Sequence, residues 1–285
     1  MRRAVRDTPD TARAARAAQA ARPRVLVTRP REQAARLIDG VRRLGFEPVP
    51  LPCLDIEPVP LPRAPCPHRG VAIFTSRNAV EHAVARDGWP WHGVPALAIG
   101  AATAEALVAS GCAPALAPRE PFDTEALLDQ LDALPAMAGE DARAAAVLAR
   151  LGAGVTIVTG EGGRPTLADT LRERGHTVQR RELYRRCTSR PTATELEVAL
   201  RPMPDVVSAS SDAVLDALVR IVPTARAGQQ RLERLRCLPL LVNGERCAAH
   251  ARYRGFSGPL LVARPAGDAG QLAALVRWHA EPRAR

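Results

Sequence analysis

The chain has 285 residues, which at roughly 150 residues per domain predicts two domains. Its content of 46% hydrophobic and 25% charged residues is that of a soluble globular protein, which excludes wholesale disorder, and no run of about 18 apolar residues offers a membrane span. The net charge is +10 and every one of the 40 basic residues is arginine, a bias that rises together with Ala and Pro as in a GC-rich coding sequence, although individual arginines suit carboxylate partners.

Residues 1–22 are Ala/Arg-rich with no apolar stripe and predict a mobile tail. The opening MRRAVRDTPD has no apolar stretch of the secretory kind, and Asp7 and Asp10 argue against a mitochondrial import signal. VLVT (Val25–Thr28) is a short apolar run of buried-strand type. An amphipathic helix follows with Ala34, Leu37, Ile38, Val41 and Leu44 on one face, stopped by Gly45. FEPVPL then resumes extended structure. The same strand–helix grammar recurs in VAIFTS with NAVEHAVA, ALAIG with AATAEALVASG, VTIVT with TLADTLRERG, DVVSAS with DAVLDALVRI, LLVNG with ERCAAHARYRG, and LLVA with QLAALVRW. So regular an alternation predicts α/β architecture, with helices covering parallel sheets. With aromatics at 3%, the core must be built from Val, Leu, Ile and Ala.

The chain also repeats itself. VLVTRP, FTSRNAVEHAV, VPALAIGAATAEALVASG and TEALLDQL align in that order with VTIVTGEGGRP, SASSDAVLDAL, LPLLVNGERCAAHARYRG and GQLAALVRW, which predicts two similar lobes. Two extended segments interrupt the pattern at equivalent places, PVPLPCLDIEPVPLP (48–62) and VQRRELYRRCTSRP (178–191). They are expected to cross between the lobes side by side, as a two-stranded linker and hinge.

Six cysteines (Cys53, Cys66, Cys112, Cys187, Cys237, Cys247) form no CxxC pair and no metal-like cluster with histidine, so free thiols and a cytoplasmic location are expected. GEGGR lacks the Lys-Ser/Thr of a P-loop, and no Ser-His-Asp, HExxH or GxSxG signature occurs; no nucleotide, metal or other cofactor is predicted. Strand-to-helix turns, in contrast, are rich in small polar residues: Thr75-Ser76, Gly100-Ala101-Ala102-Thr103, Gly162-Gly163, Ser210-Ser211 and Gly244-Glu245-Arg246. Such turns leave N–H groups at helix starts that bind anions, although Ser, Thr and Gly are also ordinary capping residues. In open α/β sheets they lie beyond the carboxyl ends of the strands, so convergence on a cleft between the lobes is expected. Tyr184 sits among Arg180, Arg181, Arg185 and Arg186. Guanidinium neighbours favour phenolate and suit a proton-donating phenol; a tyrosine packed on the linker with its hydroxyl in water is the alternative.

VLVTRP, FTSRNAV, AIGAATAEAL, PFDTEALL, GEGGRPTLADTLRERG, ELYRR and DAVLDAL, in this order over residues 23–278, resemble the uroporphyrinogen-III synthase family. The resemblance implies a discontinuous lobe of residues 23–54 with 188–285, a second lobe of 55–187, and the linker between them. It implies cyclisation of hydroxymethylbilane, a linear tetrapyrrole with eight carboxylates, to uroporphyrinogen III. Water is lost, the last pyrrole ring is inverted, and no cofactor is required. By resemblance Tyr184 helps the hydroxyl leave, and Thr75, Ser76, Gly100, Ala101, Thr103, Gly162, Gly163, Ser210, Ser211, Gly244, Glu245 and Arg246 hold substrate arms. The sequence departs from the family pattern at Thr159, Ala209 and Asn243. A monomer without nucleic-acid or membrane partners is expected. A non-enzymatic two-lobe binder of small anions is the rival reading; nucleic-acid binding finds only the basic charge in its favour.

Overall fold

The computed structural model describes residues 22–60, 70–87, 93–113, 115–116, 119–120 and 122–280. The N-terminal tail, Cys66 and the last two residues of the segment 48–62 therefore lie outside the described residues. Ten strands are described: β1 (Arg24–Val27), β2 (Glu47–Pro50), β3 (Leu54–Pro58), β4 (Val71–Phe74), β5 (Ala96–Ala98), β6 (Val155–Gly160), β7 (Val178–Thr188), β8 (Val206–Ala209), β9 (Leu240–Val242) and β10 (Leu260–Val262). They form two five-stranded sheets, ordered β10-β9-β8-β1-β2 and β3-β7-β6-β4-β5. The chain divides into two compact units, one reaching Asp55 and resuming at Thr188, the other Ile56–Cys187.

In the first unit every strand pair is parallel, and β1 and β8 at the centre are buried along their whole length. Alternation sends Val25 and Val27 to one face of the sheet and Leu26 to the other, where separate apolar clusters of Leu, Val and Ala receive them. The second unit repeats the arrangement, with Val71 and Ile73 in one cluster and Ala72 and Phe74 in its opposite. Continuous apolar runs such as VLV and VAIF thus follow from burial on both faces.

The internal repeat has a topological counterpart. Under the sequence alignment β9, β8, β1 and β2 correspond to β5, β4, β6 and β7, and each set is contiguous in its own sheet in that order. The first unit takes β1 and β2 from the first half of the repeat and β8–β10 from the second, and the second unit takes β6 and β7 from the second half and β3–β5 from the first. Helices Thr124–Asp132 and Asp268–Ala280 also correspond, as the pairing of TEALLDQL with GQLAALVRW predicts.

Helix Arg31–Arg43 buries Ala34, Leu37, Gly40 and Val41, while Leu44 is 38% exposed. The expectation for Leu44 fails because the helix ends one residue earlier; Leu44 is its C-cap, and Gly45 at φ +84° turns the chain away. Helices Ala142–Leu151, Ala193–Leu200 and Gly228–Arg236 have no counterpart in the expectations from sequence. In Ala142–Leu151 the buried stripe is Ala144, Val147 and Leu151, which an Ala-rich background conceals.

The linker is two-stranded. Ser189 N–H donates to Cys53 O and Val59 N–H to Leu183 O, each at 3.0 Å, so residue numbers fall along one strand as they rise along the other and the pair is antiparallel. Arg185 reinforces it with two hydrogen bonds to Glu57. Among the described residues no helix is long and apolar enough to cross a membrane.

Candidate active site

In the second unit β7, β6, β4 and β5 are neighbours; Gly160, Thr75 and Gly100 lie at or just past the carboxyl ends of β6, β4 and β5, and Tyr184 is the last residue of β7 to pair with β6. The register of β6 against β7 slips at its end: Thr159 pairs with Glu182, but Gly160 pairs with Tyr184. Such a bulge re-aims the side chain after it. Leu183 and Tyr184 consequently join the same apolar cluster, and the tyrosine is 1% exposed.

Its hydroxyl is held on two sides. Ser76 Oγ lies 2.9 Å away, and Arg186 donates to the phenolic oxygen at 3.1 Å with its guanidinium carbon 5.4 Å from the ring centroid. The hydroxyl-in-water alternative is thereby replaced by a buried, partnered phenol. Of the four nearby arginines, Arg186 meets the tyrosine because it lies two residues further along the strand, on the same face. Arg185 points to Glu57, and Arg180 bonds Glu182 at 2.7 Å and Gly163 O at 3.0 Å. The His82 ring stacks on Tyr184 at 5.5 Å and 17°, and burial pushes the His82 imidazole below its ordinary range.

Ser76 begins helix Arg77–Asp87 and its Oγ also accepts Ala79 N–H at 3.1 Å, as an N-cap does. Thr75 Oγ1 donates to Thr159 Oγ1 at 3.0 Å, so the family departure at Thr159 ties two strand ends together. Gly100 caps helix Ala101–Ala109, where Ala101 and Ala102 are exposed but Thr103 is only 5% exposed, its side chain turned into the fold. Gly162 takes φ +69°, and Gly163 N–H is used in the turn by Gly160 O at 3.2 Å; helix Thr166–Glu173 starts three residues later. Gly163 therefore offers no helix-start N–H.

The remaining predicted residues belong to the first unit. Ser211 caps helix Asp212–Ile221, accepting Val214 N–H at 3.4 Å, and Ser210 O accepts from Asn243 Nδ2 at 3.3 Å. Gly244 at φ +85° precedes helix Glu245–Tyr253. Glu245 pairs with Arg264, and Arg246 with Asp212 at 2.6 Å. Three helix starts of the first unit thus carry their own carboxylates, Asp212, Glu245 and Asp268, the last paired with Arg29. Those at Arg77 and Ala101 in the second unit carry none in the first turn, which leaves their dipoles uncompensated.

From sequence Arg186 was one of four arginines around Tyr184 with nothing to set it apart, and His82 was missed. Two-residue strand spacing from Tyr184 is a signal for Arg186; the His82 contact crosses from a helix to a strand and has none. Among the described residues no group of three or more His, Cys, Asp or Glu could hold a metal ion.

The family model described as Uroporphyrinogen-III synthase HemD matches residues 34–269. The chain belongs to the uroporphyrinogen-III synthase family. Among solved structures, a mutant uroporphyrinogen III synthase from Thermus thermophilus is 20% identical, with 90% of this chain and 97% of that one covered at a TM-score of 0.53. Uroporphyrinogen-III synthetase from Helicobacter pylori is 15% identical, with 90% and 99% covered at 0.57. At these identities the likeness to the two synthases is one of fold. The porphyrin biosynthesis protein HemD of Ruminiclostridium josui is 46% identical over 37 residues, 13% of this chain. The matched stretch is 7% of that HemD protein's length.

Proposed function

We propose that this chain cyclises hydroxymethylbilane to uroporphyrinogen III, with loss of water and inversion of the last ring, as a cofactor-free step of tetrapyrrole biosynthesis. The observation that carries the reading, beside membership of the family, is the buried Tyr184 hydroxyl held between Arg186 and Ser76 at a sheet end. A polarised phenol beside two helix starts free of their own carboxylates suits a substrate with many carboxylate arms and one hydroxyl to expel.

We assign arm contacts first to the N–H groups that begin helices Arg77–Asp87 and Ala101–Ala109. Ser210, Ser211, Gly244 and Arg246 are a secondary set, because Asp212 and Glu245 already occupy those helix starts. The substrate can close unaided to the uninverted isomer, so positioning must decide the product. Positioning can be worth roughly 7–11 kcal/mol, against a factor of about 10²–10⁴ for a general acid. A single chain supplies both units, so we propose a monomer. The five cysteines described are free thiols, as in a cytoplasmic protein.

The deciding experiment incubates the protein with freshly made hydroxymethylbilane and separates the isomers after oxidation. Type III product in excess of the spontaneous type I isomer is expected. Unchanged isomer ratios would favour the non-enzymatic binder of small anions.

A further inference from the structure

The partners of the Tyr184 hydroxyl allow its proton to be handed to a second hydroxyl. Arg186 can only donate, so the phenolic oxygen accepts from it, and Ser76 Oγ, 2.9 Å away, is within reach of the phenolic proton. Ser76 Oγ accepts from Ala79 N–H at 3.1 Å. With the phenol donating as well, both lone pairs of the serine are used and its own proton can be donated outward. Exposure runs the same way: Tyr184 is 1% exposed and Ser76 is only partly buried. Substrate reaching this strand end meets the serine before the tyrosine.

We propose that Ser76 is the catalytic proton donor to the departing hydroxyl and that Tyr184 is a positioning residue that recharges it. The inference rests on the proposed synthase reaction. As the carbon–oxygen bond of the hydroxymethyl group breaks, its electron pair leaves with oxygen. Ser76 gives that oxygen its proton, so water departs, and the phenolic proton moves to Ser76 Oγ. A serine hydroxyl alone is too weak an acid for this step. A phenol is a stronger one, and the Arg186 guanidinium 3.1 Å away stabilises the phenolate left behind. The pyrrole carbon that closes the ring releases one proton at the end of the cycle, and that proton restores the phenol. Chains of this kind polarise one another, so the two hydroxyls should act as a unit.

The test is a double-mutant cycle on type III formation from hydroxymethylbilane, with Ser76→Ala, Tyr184→Phe and the double variant. Each single variant should lower kcat by a similar factor, at most about 10²–10⁴, with KM unchanged, and the double should be no slower than the slower single. Ser76→Thr, which keeps the hydroxyl, should recover turnover to within about tenfold. Ser76→Asn, which keeps the helix cap, should stay slow while its unfolding midpoint matches the parent. Wild-type turnover in Ser76→Ala alongside a slow Tyr184→Phe would show that the tyrosine reaches the substrate itself and overturn the relay. Multiplying defects in the double variant would overturn it as well. Absence of type III product from the unmutated chain would instead defeat the synthase reading, and the relay with it.

Discussion

Gly160 lies against the ring of Tyr184: a Cβ placed on it would stand 2.6 Å from Cζ and 3.0 Å from the hydroxyl oxygen. The two residues are partners across the bulged end of the β6–β7 ladder, so the missing side chain of one makes room for the phenol of the other. Gly160→Ala should therefore push the ring away from Ser76. Overpacking of this kind costs about 1–3 kcal/mol, and misplacement of a reacting group can cost about 10² in rate. Denaturant unfolding and isomer-resolved turnover on the same preparation check both figures. Turnover equal to the parent would show that the ring position is not limiting.

The first unit holds a buried polar chain at the matching strand ends. Ser208 Oγ donates to Gln271 Oε1 at 3.1 Å, Gln271 Nε2 donates to Asn243 Oδ1 at 2.9 Å, and Thr28 Oγ1 donates to Ser208 O. Thr28, Ser208 and Gln271 are fully buried. Gln271→Leu would leave the Ser208 hydroxyl without its acceptor and Asn243 without one of its two donors, Gly267 N–H being the other. Stability should fall by about 2–3 kcal/mol, the cost of unsatisfied buried polar groups. Urea unfolding that moves by less than a few tenths of that figure would mean that water replaces the lost amide.

How much of this was legible in the sequence depends on the range of the contact. Strands such as Val71–Phe74 and the helices after them were readable because burial on both sheet faces demands unbroken apolar runs. Alignment of β4 with β8 and of β1 with β6 made the repeat legible, but the swap of strands between its halves came only from the family resemblance, because similarity between strands does not say which of them share a sheet. Tyr184 stood out as a rare aromatic among arginines. Its contact with Ser76 did not, because 108 residues separate them and only the ladder of β7, β6 and β4 brings them together. The acid-bearing helix starts, Asp212 and Glu245, were visible as residues; their pairing with Arg246 and Arg264 needed coordinates.

His82 makes the stacked pair pH-sensitive. Burial holds its imidazole below the ordinary value of 6.5, partly opposed by Glu81. A depressed pKa in the folded state means that the unfolded chain binds the proton first. The stability from the neutral ring is thus complete above about pH 6.5 and lost as pH falls through the folded value. The unfolding midpoint should be level between about pH 7 and 8 and decline below 6.5 more steeply than in His82→Phe. Parallel pH curves for the two proteins would remove His82 from the acid response.

The cysteines should divide by environment. Burial drives the Cys53 thiol far above its ordinary range, and burial, followed by the Asp212 charge, raises Cys247 to about 11. Cys237 is exposed. Only the thiolate reacts with an alkylating reagent, and at pH 8 a thiol of pKa about 11 is ionised in roughly one molecule per thousand. Brief iodoacetamide treatment at pH 8 should modify Cys237 and leave Cys53 and Cys247 intact until denaturant is added, as peptide mass spectrometry would record. The same raised values have a sign for stability: the folded state keeps these protons longer, so the contribution is whole below the ordinary thiol range and is lost as pH rises through the folded value, about 11 for Cys247. Alkylation of Cys247 as fast as that of Cys237 in the native protein would show that the helix Glu245–Tyr253 opens readily, and that its burial against the first unit's sheet is weaker than the packing implies.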